Sequence, residues 1–389
     1  MENPQIKGGS AAIACVLFFL VLEGFCSFLS VAHRFWASQD HETPSTKYDE
    51  TLGWVGIPNF YEKDYYAPDT YVRINSRGFR ANEEYTDQVP PGKLRIICSG
   101  DSFTFGNGVD NDHTWCQFLG SIDNRIQPVN LGESGYGIDQ MYLRYRQDGS
   151  MLEHDVHVFA LITEDFRRMQ ATAPGGYGKP VLKLRNGQLV AGNTPVPKPS
   201  RFLPWVASTL STLRQLKFVA ALAWLAERVA PVRDSGFSNG PTAEQRQILD
   251  KLLDDLQAIE KQKNSVLVLL YLPYWTSDVD SRGPGPAWRT WVRGECGKRG
   301  IALIDLIDDF QKLPVPTRDG LFIWPGSPQY SVDVSGHYDD QGHEWVAREL
   351  YARLTSIPKV AEKLGVHDSE PAKGQRGSSA YRVKDHGLK

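Results

Sequence analysis

Cysteine is scarce in this chain: five among 389 residues, with no Cys-x-x-Cys pair and no Cys/His cluster at ligand spacing. Neither a disulfide framework nor a structural zinc site is expected, and no metal or other cofactor is called for. Cys15 and Cys26 fall in an apolar stretch, leaving Cys98, Cys116 and Cys296 in the body, where at most one pair can form. A surplus of either charge is missing too. Lys and Arg total 43 against 46 Asp and Glu, a formal charge of −3, and without a basic excess nucleic acid is not expected as a partner. The rest of the composition, 41% hydrophobic, 23% charged and 11% aromatic, excludes a wholly disordered, collagen-like or multi-span membrane chain. At roughly 150 residues per domain the length allows two or three domains, or one large domain with additions.

Membrane-length apolar runs are also rare. One stands at 11–32, AAIACVLFFLVLEGFCSFLSVA, and its ~22 residues at 1.5 Å each suffice to cross a hydrocarbon core of roughly 30 Å. Glu23 is its only charge; a lone mid-span carboxylate costs about 2.5–3.5 kcal/mol, which the Leu, Phe, Val and Ala residues outweigh. The run is read as an uncleaved membrane anchor over 1–32. Its alternatives are a buried core helix and a signal peptide cleaved after Ser30-Val31-Ala32. Lys7 and Glu2 on one side, and Arg34, Asp40 and Glu42 on the other, hardly orient it. With so little chain ahead of the span, the body is expected on the translocated, periplasmic side of a bacterial inner membrane.

Residues 33–90, rich in Tyr, Asp, Glu and Pro, read as a connector lying over the domain surface. From Leu94 apolar runs suited to buried parallel strands alternate with helix-length segments: LRIICS at 94–99, QPVNL at 127–131, VHVFALIT at 156–163, SVLVLLYL at 265–272 and IALIDL at 301–306. That alternation predicts a three-layer α/β/α doubly wound parallel sheet within a domain over 91–365. The wide gap between the third and fourth runs implies an insertion at about 170–240. It holds a hairpin at 181–192 turning on Asn186-Gly187, then an amphipathic stretch at 202–232 read as packing on the core. Thr242 and Gln245 form a capping box for a helix buried through Leu249, Leu252, Leu253 and Leu256. Residues 366–389 are polar and aperiodic, the pattern of a disordered tail.

In doubly wound sheets ligands sit beyond the carboxyl ends of the strands. The first strand runs into Gly100-Asp101-Ser102, which exposes a serine at a strand-to-helix turn whose backbone N–H groups can face an oxyanion. The second is followed by Asn130-Leu131-Gly132-Glu133-Ser134-Gly135-Tyr136-Gly137, where glycines let backbone approach a ligand. The third gives Thr163-Glu164-Asp165-Phe166-Arg167-Arg168. A nucleophilic serine needs a base. Of nine histidines, His33, His41, His367 and His386 lie by the apolar run or in the tail, His154 and His157 at the wrong end of a strand, and His113 ahead of a helix at 114–119. The segment from Asp333 to His343, before a final helix at 344–354, is what is left. Cys98, four residues before Ser102, is read as a packing residue.

Taken in order, Gly100-Asp101-Ser102, the Asn130…Gly132…Gly135 loop, the acidic pair Glu164-Asp165 and the Asp333…His337…Gly342-His343 segment resemble the four sequence blocks of the SGNH (GDSL-like) hydrolase superfamily. Leu52-Gly53-Trp54, Ile74-Asn75-Ser76-Arg77-Gly78-Phe79-Arg80 and Gly135-Tyr136-Gly137-Ile138-Asp139-Gln140 make the chain similar to its membrane-anchored envelope members. The resemblance implies Ser102 as nucleophile, His337 as general base and Asp333 as the acid holding the imidazole. It implies an oxyanion hole from the Ser102 and Gly135 N–H groups and a side chain at position 164, with Asp101 and Asp165 in support.

Two departures stand out. The family offers an Asn where this chain has Glu164, and places its Asp two or three residues before the His, where this chain has Val334 and Ser335. A Ser–His dyad, and a register using Asp340 and His343, therefore stay open. The function expected is a serine esterase or O-acyltransferase acting on acyl, chiefly acetyl, esters of an envelope or exported polysaccharide. The alternative is a degenerate domain that binds glycan or an assembly partner without turnover.

Overall fold

Five apolar runs form one parallel sheet in the computed structural model of the chain: β1 Leu94–Ser99, β2 Ile126–Asn130, β3 Val156–Leu161, β4 Val266–Tyr271 and β5 Ala302–Asp305. The structure describes residues 43–198, 237–274 and 285–365, with a few positions between 17 and 25. The strand order is β2-β1-β3-β4-β5, with Ile97 level with Val129 on one side and His157 on the other, and Leu269 level with Phe159 and Leu303. This is the flavodoxin-like order, and it reverses between β1 and β3, the switch point beyond whose strand ends such sheets bind their ligands.

Because side chains alternate along a strand, each face of the sheet collects its own core. One layer joins Ile97, Val129, Phe159, Leu161 and Leu269 to helices α3 (Ile138–Gln147), α5 (Ala243–Lys263) and α6 (Gly285–Arg299). The other joins Ile96, Cys98, Val158, Ala160 and Leu270 to α2 (Trp115–Ile122) and α7 (Asp340–Leu354). Helices thus cover both faces, and the three-layer expectation holds. Cys98 of β1 and Cys116 of α2 are joined in a disulfide with Cα atoms 6.3 Å apart, so Cys98 is not simply a packing residue; Cys296 is free and buried. The predicted capping box opens α5, with Gln245 N–H donating to Thr242 Oγ1 at 3.3 Å.

The stretch expected as a surface connector differs from that expectation over residues 43–90. Thr46–Asp49 pairs antiparallel with Gly53–Gly56; Leu52, Trp54 and Phe79 are buried because their side chains complete the core beside β1 and α3, while Val72 packs in a separate cluster with Phe105, Ile323 and Val334. The hairpin at 181–192 is present, with positive φ at both Asn186 and Gly187 as its two-residue turn requires. The amphipathic stretch at 202–232 and the tail at 366–389 lie outside the described residues. The apolar run at 11–32 lies mostly outside them as well, and among the described residues no helix is long and apolar enough to cross a membrane.

Candidate active site

The turn after β1 is built around one residue, Ser102, which is almost wholly buried at the strand end. Asp101 accepts the Phe103 N–H at 2.9 Å and so caps α1 (Ser102–Phe105), which ends at once because Gly106 adopts φ 92°. Ser102 opens that helix, and its backbone N–H, pointing out of the first turn, has no acceptor among the described residues. The loop after β2 lies against it. A Cβ on Gly132 would stand 2.2 Å from Phe105 N, so only glycine permits the approach. Asn130 fixes the contact, donating to the Thr104 carbonyl at 2.7 Å and accepting from Gly132 N–H at 2.9 Å. Gly135, at φ 75°, also has a backbone N–H without an acceptor among the described residues. Asn107 links the two loops: its N–H donates to the Ser102 carbonyl at 3.1 Å, and its Oδ1 accepts the Ser134 and Tyr66 hydroxyls at 2.8 and 3.1 Å.

The segment before α7 brings the histidine across. The Ile323 N–H donates to the His337 carbonyl and the Gly336 N–H to the Ile323 carbonyl, both at 2.8 Å, closing the turn at 323–337 in which Gly336 takes φ 82°. His337 Nε2 then lies 2.8 Å from Ser102 Oγ, and its ring rests on Phe103 with centroids 4.9 Å apart. Nδ1 is 3.0 Å from the Val334 carbonyl. A carbonyl only accepts, so Nδ1 carries the proton and Nε2 is left to accept from the serine. Burial pushes the His337 pKa below the ordinary value, partly offset by the Val334 hydrogen bond and the Asp101 charge.

Asp333 does not hold His337, contrary to expectation. Its Oδ1 accepts from Ser335 N–H at 3.1 Å and Ser335 Oγ at 2.7 Å, because the Asp-x-Ser turn satisfies the carboxylate locally. The register using Asp340 and His343 is not assembled either. Buried His343 accepts the Trp115 N–H at Nδ1, 3.1 Å away, while Asp340 pairs with His113 at 3.4 Å and helps raise the His113 pKa to about 9. Glu164 supplies no group to the site: Arg167 engages its carboxylate, with Nε 2.8 Å from Oε1.

Asp101 and Asp165 meet at a residue that the sequence left unassigned, Arg168 of α4 (Thr163–Arg168). Its Nη1 donates to Asp101 Oδ2 at 3.0 Å, to the Tyr136 carbonyl at 3.1 Å and to Asp165 Oδ1 at 3.1 Å. Asp165 also caps α4 through the Ile162 N–H, and burial beside Asp101 raises its pKa well above the usual carboxylate range. The only trace of Arg168 in the sequence is its place three residues after Asp165, one helical turn away. Asn107 left no trace at all, since its side-chain partners, Tyr66 and Ser134, lie far away in sequence. Among the described residues no group of three or more His, Cys, Asp or Glu is placed to hold a metal ion.

Neither a protein-family model nor a curated protein sequence matches the chain. Among solved structures, a member of the lipolytic protein G-D-S-L family from Veillonella parvula matches at 14% identity and a TM-score of 0.37, covering 68% of this chain and 100% of its own. A psychrotrophic esterase from a Pseudoalteromonas species, inhibited by monoethylphosphonate, is 11% identical with a TM-score of 0.37 over 68% of this chain and 98% of its own. A lipase/acylhydrolase from Enterococcus faecalis is 11% identical with a TM-score of 0.36 over 68% and 96%. Likenesses this distant carry no argument about activity. The chemistry has to be read from the side chains of this chain.

Proposed function

We propose that the protein is a serine-dependent ester hydrolase of the SGNH kind, or an acyltransferase by the same chemistry, with Ser102 as nucleophile and His337 as general base. The 2.8 Å contact between His337 Nε2 and Ser102 Oγ at the sheet edge carries this reading. In the proposed reaction Ser102 Oγ attacks the ester carbonyl as its proton passes to Nε2. The negative oxygen of the tetrahedral intermediate is received by the unpartnered N–H groups of Ser102 and Gly135. The imidazolium returns the proton to the departing alkoxide, leaving an acyl-Ser102. Water, or a sugar hydroxyl, gives a proton to Nε2 and attacks, and the serine is restored. The Val334 carbonyl takes the orienting part of a triad acid, so the pair acts as a dyad.

The proposed substrates are acyl, chiefly acetyl, esters of an envelope or exported polysaccharide, with the chain tethered through 11–32 and its body outside the cytoplasm. The Cys98–Cys116 disulfide supports an oxidising compartment. A second reading, a degenerate domain that binds glycan without turnover, is favoured by one observation, the absence of a side-chain donor from position 164. The full chain in detergent, assayed on a small aryl acetate beside Ser102→Ala, separates the two. Serine-dependent release with fluorophosphonate labelling of Ser102 supports the enzyme. No release and no label leave the binding domain.

A further inference from the structure

The two unpartnered N–H groups sit on different loops, and two donors on separate loops act together only if something keeps the loops in register. The third loop offers no donor of its own, because Glu164 is taken by Arg167. It offers Arg168 instead. The Asp101 carboxylate precedes Ser102, the Tyr136 carbonyl follows Gly135, and Asp165 anchors α4; one guanidinium nitrogen binds all three at 3.0–3.1 Å. A Cβ on Gly137 would come within 2.9 Å of Arg168 Cβ, so the glycine after Tyr136 is what lets the arginine approach.

We propose that Arg168 is the positioning residue of the oxyanion hole: it locks the Ser102 and Gly135 N–H groups onto one point and thereby replaces the third donor that position 164 does not supply. The inference rests on the serine-ester-hydrolase reading. Its second effect is electrostatic. Asp101, at 1% exposure, immediately precedes Ser102, and its carboxylate left uncompensated would oppose the nascent oxyanion. The arginine supplies the opposing charge.

The test compares Arg168→Met and Arg168→Lys with wild type, full chain, on a small aryl acetate. Arg168→Met is expected to lose about 10²–10³-fold in kcat, the size of a lost oxyanion donor, with KM changed less than threefold. Arg168→Lys, which restores the charge but not the reach, recovers part of that loss. A merely structural role would not move the pH profile. Among the described residues the groups whose charge acts on His337 include Asp101, Arg168, Asp333 and His343, and Arg168 is the fixed cation of these. Removing it leaves the Asp101 charge acting alone, so the acid limb of kcat/KM moves to higher pH.

A kcat within threefold of wild type in Arg168→Met, or an unmoved acid limb, overturns the inference. Should Arg168→Met fail to fold, Arg168→Lys decides: wild-type kcat there means the side chain serves stability alone and the inference falls, whereas a tenfold or greater loss at unchanged Tm sustains it. If wild type neither turns over nor labels at Ser102, the ester-hydrolase reading itself has failed, a result distinct from an active wild type with an indifferent Arg168.

Discussion

A histidine acting as a base at neutral pH must be neutral, correctly tautomeric and held still, and His337 obtains all three from neighbours without a carboxylate. Burial lowers its pKa, the Val334 carbonyl fixes the proton on Nδ1, and the Phe103 ring lies against its face. Since the neutral form is the working one and its pKa lies below the ordinary 6.5, activity should already be on its plateau at pH 7 and fall only as pH drops through that lowered value. His337→Ala should lose about 10²–10⁴-fold in kcat/KM. Asp333→Asn should keep kcat within about threefold, as its carboxylate bonds Ser335 rather than His337; a loss near that of His337→Ala would show a triad after all.

Glu133 makes the opposite case, since burial raises its pKa to about 7 against the opposing Arg144 and Arg80 charges. A carboxyl with a raised folded pKa contributes stability that is present below its unfolded value, near 4.5, and is lost as pH rises through about 7. At 1.36 kcal/mol per unit, a rise from 4.5 to about 7 makes the loss roughly 3–3.5 kcal/mol at most. Glu133→Gln keeps an acceptor for the Ser134 N–H and should therefore stabilise the protein at pH 8, with the gain gone by pH 5 in urea melts. Equal effects at both pH values would count against it.

Elements here are tuned at their ends. The four-residue α1 has Asp101 at its start and Arg80 at its finish, where the guanidinium donates to the Phe105, Gly106 and Val109 carbonyls at 2.6, 2.5 and 2.5 Å. A cation at the C-terminal end complements the helix dipole and satisfies carbonyls that so short a helix leaves open. Helix α3 begins three residues after Gly135 and is tied at its first turn by the buried pair Lys179–Asp139, with Nζ 2.5 Å from Oδ2. Burial raises the Asp139 pKa to about 6 and lowers that of Lys179, yet each needs the other. Lys179→Met should cost about 3–5 kcal/mol, because it strands a carboxylate in the core. Adding Asp139→Leu should recover much of that loss. Calorimetric Tm values for the single and double variants test the pair, and additive losses would refute the coupling.

At the scale of the molecule, the sheet was legible because both of its faces are buried: strands such as VLVLLY at Val266–Tyr271 carry a nearly continuous apolar run bounded by polar loops. Ser102 was legible from residue type at a strand end; the residues alone narrowed its base only to the Asp333–His343 segment, and the family resemblance singled out His337. Arg168 and the Val334 carbonyl were not, since a backbone acceptor has no sequence signature and Arg168 gains its part only where three loops converge. Residues 43–90 misread as a connector for a related reason: their apolar side chains are spaced without period, and only folding carries Trp54 to the loop after β2. There the indole N–H donates to the Ser134 carbonyl at 2.9 Å and the Trp54 carbonyl accepts the Tyr136 hydroxyl at 2.6 Å, one contact on either side of Gly135. Trp54→Ala should then do two things at once. It should cost about 3–5 kcal/mol as a large core deletion, and it should lower kcat by about ten- to a hundredfold by loosening the Gly135 N–H. Leu350→Ala, in α7 on the opposite face, is the control, with about 2–5 kcal/mol lost from the other core layer and kcat of the folded enzyme unchanged. If both variants keep wild-type kcat once matched for folded fraction, the N-terminal segment stabilises the domain without shaping its site.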